Sequence, residues 1–176
     1  MNVQRAVAAD IVSLASAFGN EAYFADRYQR QRAGRGVLFV AFLENKPVGD
    51  VYLWLEPAEE EEIRTHLRGV ALLTHLEVLP EFRNRGIGTQ LIDAVEARIW
   101  AMGRQKVALA VRDDNVKAAD LYKRLDYVDW GYGKLTCHTE VGGPDGTREP
   151  ESCYVMVKQL HSVSASSDNA FASLAD

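Results

Sequence analysis

Two periodicities share this chain: short apolar runs of strand length alternate with stretches whose apolar positions recur at helical spacing. Val3 to Val7 predicts a first strand, and Asp10 opens a helix, or sits in its first turn, with Ile11, Leu14, Ala15 and Phe18 on one face. A second helix is expected from about Glu21 to Arg32, carrying Tyr23, Phe24 and Tyr28, and Gly34-Arg35-Gly36 stops it. Val37 to Leu43 and Val48 to Leu55 flank the turn Glu44-Asn45-Lys46-Pro47, which reads as a hairpin. Glu56 to Arg68 is polar and acidic, a loop or a short helix. Val70 to Leu79 is strand-like. Ile87, Leu91, Ile92, Val95, Ile99 and Met102 then follow at helical spacing, with Asp93, Glu96 and Arg98 on the other face and Gly103 at the end. Val107 to Val111 is continuously apolar, as in a strand buried on both faces. Ala118, Leu121, Tyr122 and Leu125 mark another helix, and Tyr127 to His138 and Ser152 to Leu160 are the last strands, around a turn-rich loop at Gly142 to Gly146. Strands alternating with helices in this way define an α/β chain of about seven strands.

Composition narrows the class. A chain of 176 residues that is 47% hydrophobic suits one domain with a sizeable core. We expect that domain over residues 1–161, followed by a small, polar, mobile tail over 162–176. No apolar run approaches the ~20 residues of a membrane span, and Met1 to Arg5 lacks the apolar core of a secretory signal. A cytoplasmic protein without a membrane partner is therefore expected. The net charge of −5 argues against nucleic acid as a partner. Cys137 and Cys153 have no metal-ligand spacing, so no metal site is expected. Either a disulfide or two buried free thiols would fit, and a chain without a signal points to a reducing compartment and so to free thiols.

The most informative segment is Arg83-Asn84-Arg85-Gly86-Ile87-Gly88, between the strand ending at Leu79 and the helix beginning near Leu91. A basic glycine loop at a helix N-terminus is an anion site, because the first amides of a helix lack intrahelical partners and point outward with the positive end of the dipole. Gly86 and Gly88 let the backbone turn tightly and approach the anion. The Walker spacing is absent, and Leu91 stands where a dinucleotide fingerprint needs its third glycine. What remains is Arg-x-x-Gly-x-Gly. Its plainer reading is a helix-start turn with solvated arginines.

That motif resembles the acetyl-CoA pyrophosphate loop of the GNAT family of N-acetyltransferases. A second segment strengthens the resemblance: Asn115, Ala118, Leu121 and Tyr122 match the family's Asn-x-x-Ala-x-x-Leu-Tyr, one helix and one strand after the loop. Element order agrees from residue 3 to about 160. Asp126 stands where the family usually has glycine, and the stretch from Gly131 to Glu151 is longer than the common hairpin. The resemblance implies the acyl-CoA N-acyltransferase fold, a mixed, splayed sheet with helices on both faces. It also implies acetyl-CoA as acyl donor and direct acetyl transfer to a primary amine of a small molecule or protein. A non-catalytic acyl-CoA-binding sensor or interaction domain on the same fold is the alternative, and a homodimer stays open.

Carried onto this chain, the resemblance places the pyrophosphate on the amides of Arg85, Gly86, Ile87, Gly88 and Thr89, with Arg83 and Arg85 adding charge. Backbone groups of Leu76 and Val78 would pair with the pantetheine arm. Asn115, beside Ala118, would bond to the arm or act simply as a helix N-cap. Tyr122 is the candidate general acid for the departing thiolate, since a phenol stays protonated at neutral pH; by spacing alone it is a core aromatic. His75 and Glu77 share one face of their strand, and either could take the amine's proton, Glu77 slightly ahead; a structural pair is the plainer reading. Tyr23, Phe24, Tyr28, Trp54, Trp130 and Tyr132 could wall the acceptor site or belong to the core. Glu56 and the run Glu59 to Glu62 could attract a cationic amine or form a solvated face.

Overall fold

The computed structural model describes residues 1–138 and 149–161. The expected tail over 162–176 and the turn-rich loop at Gly142 to Gly146 lie outside them. The elements run β1 (Asn2–Arg5), α1 (Asp10–Phe18), α2 (Glu21–Arg32), β2 (Gly36–Leu43), β3 (Lys46–Trp54), α3 (Glu61–His66), β4 (Ala71–Val78), a 3-10 turn (Pro80–Phe82), α4 (Ile87–Ala101), β5 (Lys106–Arg112), α5 (Val116–Arg124), β6 (Val128–His138) and β7 (Pro150–Gln159). The strands form a seven-stranded sheet in the order β1-β2-β3-β4-β5-β7-β6. Its pairs are antiparallel except β4 with β5. No helix among the described residues is long and apolar enough to cross a membrane.

Local chemistry trims the elements. β1 ends at Arg5 rather than Val7, because the Val7 amide donates to Asp10 Oδ2 at 2.8 Å and turns the chain into α1. The β2–β3 turn is Glu44-Asn45 alone, both left-handed (φ +50° and +63°), with Lys46 already paired to Leu43. Two left-handed residues suit a hairpin because their twist matches that of the strands. Asn20 caps α2 by accepting from the Tyr23 amide at 3.1 Å. The acidic stretch forms the short α3, and Arg64 ties it down by donating to the carbonyls of Ala58 and Glu59 at 2.6 and 2.5 Å. Asp126 takes the left-handed position after α5 (φ +66°), a conformation that Asp adopts more readily than most residues other than glycine.

Both faces of the sheet are covered. On one, Leu14, Tyr23 and Phe24 from α1 and α2 pack on Leu38, Val40, Tyr52 and Trp54. On the other, Ile87, Leu91, Ile92, Val95 and Ile99 of α4 pack on Val51, Leu53, Val107 and Leu109, with Tyr122 of α5 beside them. Each such fully buried aliphatic side chain contributes about 1.5–3 kcal/mol.

The middle of the sheet departs from regular pairing. Asp50 faces Glu77, but Tyr52 faces Thr74, so β4 holds one extra residue against β3. The bulge brings His75 to φ +49°, a rare conformation for a side chain other than glycine. β4 and β5 pair only at Ala71↔Val107 and Leu72↔Ala108. Beyond those two pairs they diverge, and Ala110, expected inside a doubly covered strand, is exposed because it faces the opening.

Gly36 at the start of β2 is a point of close approach: a Cβ there would collide with the Tyr52 ring and the Leu53 carbonyl. Gly36→Ala is expected to cost about 1–3 kcal/mol, as overpacking does, measured as a lower midpoint of denaturant unfolding.

Candidate functional site

A cavity of about 540 Å³ occupies the opening between β4 and β5 and continues toward β6 and β7. Two groups of residues line it. Leu76, Ala110, Arg112, Asn115, Ala118 and Tyr122 belong to the side nearer α5, and Arg27, Trp54, Glu60, His75, Cys137 and Cys153 to the other.

The glycine loop stands next to the first group. Gly86 is the N-cap of α4 in a left-handed conformation (φ +76°), with no side-chain cap hydrogen bond, which leaves the amides of the first turn facing outward. Ile87 is buried and anchors the turn, whereas Arg85 is exposed, its guanidinium 5.4 Å from the Phe82 ring centroid. Thr89, in the same turn, is half-buried. Arg83 does not reach freely outward: its Nε donates to the Val78 carbonyl at 2.9 Å. That bond uses one of the two lone pairs of the Val78 oxygen. Gly88 lies between β4 and α5, since a Cβ there would touch Leu76 and Leu121 at 3.8 and 3.6 Å. The loop, the strand edge and the second motif therefore converge.

Asn115 caps α5, its Oδ1 accepting from the Ala118 amide at 3.2 Å, and it lines the cavity as well. Only its carbonyl oxygen is used in the cap; the NH2 group carries two donors. Tyr122 is buried, packs against the Tyr127 ring at 5.6 Å and also lines the cavity, so it is a core aromatic and a wall residue at once. Burial pushes its phenol well above the usual range, so the hydroxyl is a proton-bearing donor at neutral pH.

His75 and Glu77 do share a face. The imidazole Nε2 lies 3.5 Å from Glu77 Oε2, and the ring packs on Tyr23 with centroids 4.2 Å apart. His75 lines the cavity; Glu77 touches His75 from the side and is not among the lining residues. Its carboxyl is held below the ordinary value, chiefly by the hydrogen bond from His75, against some opposing burial, so it is ionised at neutral pH. Sequence reasoning missed a third member: the fully buried Asp50, whose Oδ1 is 3.7 Å from the same Nε2. Its signal was an acid in the middle of an apolar strand, between Gly49 and Val51.

The residues expected to wall an acceptor site are only partly brought together. Of the six aromatic candidates, Trp54 lines the cavity and Tyr23 borders it through His75. Phe24 and Trp130 are core, Tyr28 is half-buried away from the lining, and Tyr132 stacks outside on His66. Glu56 is drawn off by Arg30 at 2.5 Å and Arg35 at 3.4 Å. Glu59 and Glu60 do line the cavity, while Glu61 and Glu62 sit exposed in the first turn of α3, where negative charge suits the helix dipole. Arg27, also in the wall, lies 4.9 to 5.3 Å from the ring centroids of Tyr23, Tyr52 and Trp54. Cys137 and Cys153 are buried free thiols that touch each other; burial pushes both upward, so both stay protonated at neutral pH.

Comparison with known proteins agrees with this geometry. The family model described as the acetyltransferase (GNAT) family matches residues 7–127. An acetyltransferase of Pectobacterium atrosepticum is 42% identical over 53 residues, 30% of this chain. An uncharacterised N-acetyltransferase of Methanocaldococcus jannaschii is 37% identical over 92 residues, 51% of this chain. In both cases the match spans 38% of the relative's own length. Among solved structures, a Chaetomium thermophilum protein in complex with a bisubstrate analogue is 26% identical over 91% of this chain and 87% of that one, with a TM-score of 0.68. The ribosomal-protein-alanine N-acetyltransferase of Brucella melitensis shares the fold at 21% identity, covering 91% of this chain and 100% of that one, with a TM-score of 0.65. With the family match extending over most of its length, this chain belongs to the GNAT family of acetyltransferases.

Proposed function

We propose that this acetyltransferase moves the acetyl group of acetyl-CoA directly onto a primary amine of a small molecule or protein. One observation carries the reading: a single cavity joins the α5 side, where Tyr122 and Asn115 stand, to the wall that holds His75. Donor and acceptor would meet there without a carrier residue.

The chain's own groups suit the donor. The amides of Arg85 to Thr89 at the start of α4 would hold the pyrophosphate, each charge-assisted hydrogen bond contributing about 1.5–3 kcal/mol, with Arg85 adding charge at the rim. Leu76 and the Val78 amide lie on the edge of β4 that β5 leaves open. That edge offers a peptide-like arm the hydrogen bonds of a missing strand. Ala118 is small enough to let the arm approach α5, and Asn115 would bond to it. When bound, acetyl-CoA supplies an activated thioester. Tyr122 would then donate to the sulfur as it leaves. On the acceptor side the amine must arrive neutral or lose a proton, since an alkyl ammonium has a pKa near 10.4. The His75–Glu77 pair is the local proton acceptor, and Glu59 and Glu60 favour a cationic amine at the wall.

Two measurements test this. Gly86→Glu places a side chain on a left-handed backbone and a negative charge at the anion site, so calorimetry should show acetyl-CoA affinity reduced about tenfold or more. Equal affinity in the two proteins would remove the loop from the donor site. Tyr122→Phe should lower turnover by about 10²–10⁴ with acetyl-CoA affinity nearly unchanged, read by thiol release across polyamines, aminoglycosides, amino acids and peptide N-termini. Tight binding with no thiol release for any amine would instead favour an acyl-CoA sensor.

Acid stability tests the His75–Glu77 contact. Because the folded-state pKa of Glu77 is depressed from 4.5, its stabilisation is complete above that value and is lost as pH falls through the lower, folded value. Thermal melts between about pH 5 and 3 should therefore show wild type losing stability more steeply than Glu77→Gln. Parallel losses would mean that the contact contributes nothing.

A further inference from the structure

Two thiols stand in the cavity wall, and acetyl transfer as proposed above makes no use of them. Cys137 of β6 and Cys153 of β7 are the chain's two cysteines. They are 8% and 3% exposed and share an apolar cluster with Trp54, Ile63 and Leu135. In the β6–β7 ladder Leu135 faces Cys153 and Cys137 faces Glu151, so the cysteines are diagonal neighbours, two positions apart in register. Side chains alternate along a strand, so this offset puts both thiols on one face of the sheet. There they hydrogen-bond to each other. An S–H group is a weak donor and sulfur a weak acceptor, so packing and register, more than that bond, hold the two sulfurs side by side.

The pair is not symmetric. Burial raises both thiols, and the carboxylates of Glu60 and Glu151 add to the rise. At Cys153, hydrogen bonds from the Cys137 side chain and backbone work the other way, because they favour its ionised form. At Cys137 the contact with Cys153 raises the thiol further. The thiolate is the nucleophile, so Cys153 reacts first, and Cys137 is placed to resolve the product. The strand that carries Cys137 can yield. β6 is an edge of the sheet with β7 as its partner, and its pairing is interrupted between Asp129 and Lys134, where Gly131 and Gly133 take left-handed backbone (φ +85° and +81°).

We propose that Cys153 and Cys137 are a redox-active pair, oxidised to a reversible disulfide by a hydroperoxide small enough to enter the cavity. With hydrogen peroxide, the Cys153 thiolate attacks one oxygen and the O–O bond breaks. A sulfenic acid forms, and the departing hydroxide takes up the proton that Cys153 lost, giving water. The Cys137 sulfur then attacks the sulfenic sulfur, the S–O bond breaks, and the oxygen leaves as a second water with the Cys137 proton. Two thiols and one peroxide thus give one disulfide and two waters; sulfur is oxidised and peroxide oxygen reduced. A thiol reductant reverses the step by exchange. An S–S bond is only about 2.05 Å long, so forming it draws β6 against β7 in the wall shared with Trp54, Glu60 and Ile63. That wall is the acceptor side, an assignment that rests on the acetyltransferase reading above, so oxidation acts on amine binding and spares the loop before α4.

Hydrogen peroxide followed by alkylation and mass spectrometry tests the bond without turnover. The wild-type chain should lose the mass of two hydrogen atoms, resist alkylation, yield a cross-linked peptide pair containing both cysteines, and regain both alkylation sites in dithiothreitol. Cys137→Ser should accumulate a sulfenic acid at Cys153 that dimedone traps, and Cys153→Ser should give several-fold less adduct at Cys137. Two alkylatable thiols after peroxide, oxygen adducts without a cross-link, or a disulfide between two chains each overturn the proposal. The effect on the cavity is read by thiol release once peroxide has been removed. For the amine that turns over best, KM should rise several-fold, return after treatment with dithiothreitol, and stay unmoved by peroxide in Cys153→Ser, with acetyl-CoA affinity by calorimetry unchanged throughout. An unchanged amine KM in the disulfide form, or a matching fall in acetyl-CoA affinity, overturns the link to the acceptor wall. A disulfide that forms in a chain releasing thiol with no amine would overturn the acetyltransferase reading and leave the redox pair in place.

Discussion

One extra residue in β4 governs the rest of the molecule. The bulge near His75 takes β4 off the line that parallel pairing with β5 would require, and pairing stops after two residue pairs. A parallel sheet flanked by helices on both faces normally buries its strands completely. Here the interruption exposes backbone edges in the middle of the protein and creates the cavity. The same residue turns the imidazole toward Asp50 and Glu77. Access to the cavity, the open backbone edge and the grouping of His75 with two carboxylates thus share one local cause.

The helices complete what the bulge begins. α4 aims its N-terminus at the opening because Ile87, Leu91, Ile92, Val95 and Ile99 bind its whole length to the sheet. The loop's position is therefore set by core packing rather than by the loop itself. α5 is held in the same way: Asn115 caps it, and Tyr122 is wedged against Tyr127. The Tyr127 hydroxyl in turn donates to Glu96 of α4 at 2.9 Å, and Lys158 of β7 donates to the same carboxylate. The phenol that faces the cavity thus stands on a scaffold drawn from three elements.

Much of this could be read in the sequence, and the reasons differ between parts. Helices with long apolar stripes, such as α4, declare themselves because periodicity accumulates over many residues. The loop and Asn115 to Tyr122 were legible because their spacing survives as residue identity. The bulge was not, since a single inserted residue leaves both strand patterns intact and a left-handed histidine has no compositional mark. Asp50 was visible as an oddity but not as a partner of His75, because its neighbour depends on register. Glu56 and Glu60 look alike in sequence. Only the arginines of α2 and the following turn distinguish them, drawing the first into ion pairs while the second stays at the wall.

The open edge between β4 and β5 also has a thermodynamic meaning. It exists only in the folded chain, so a ligand that pairs with it binds the native state and not the unfolded one. Such a ligand adds RT ln(1 + [L]/Kd) to stability, about 2.7 kcal/mol at a hundredfold excess over Kd. The resistance of this protein to unfolding would then rise and fall with the supply of whatever fills the opening. A gap in the sheet would thereby tie the stability of the chain to the abundance of a ligand that fills it.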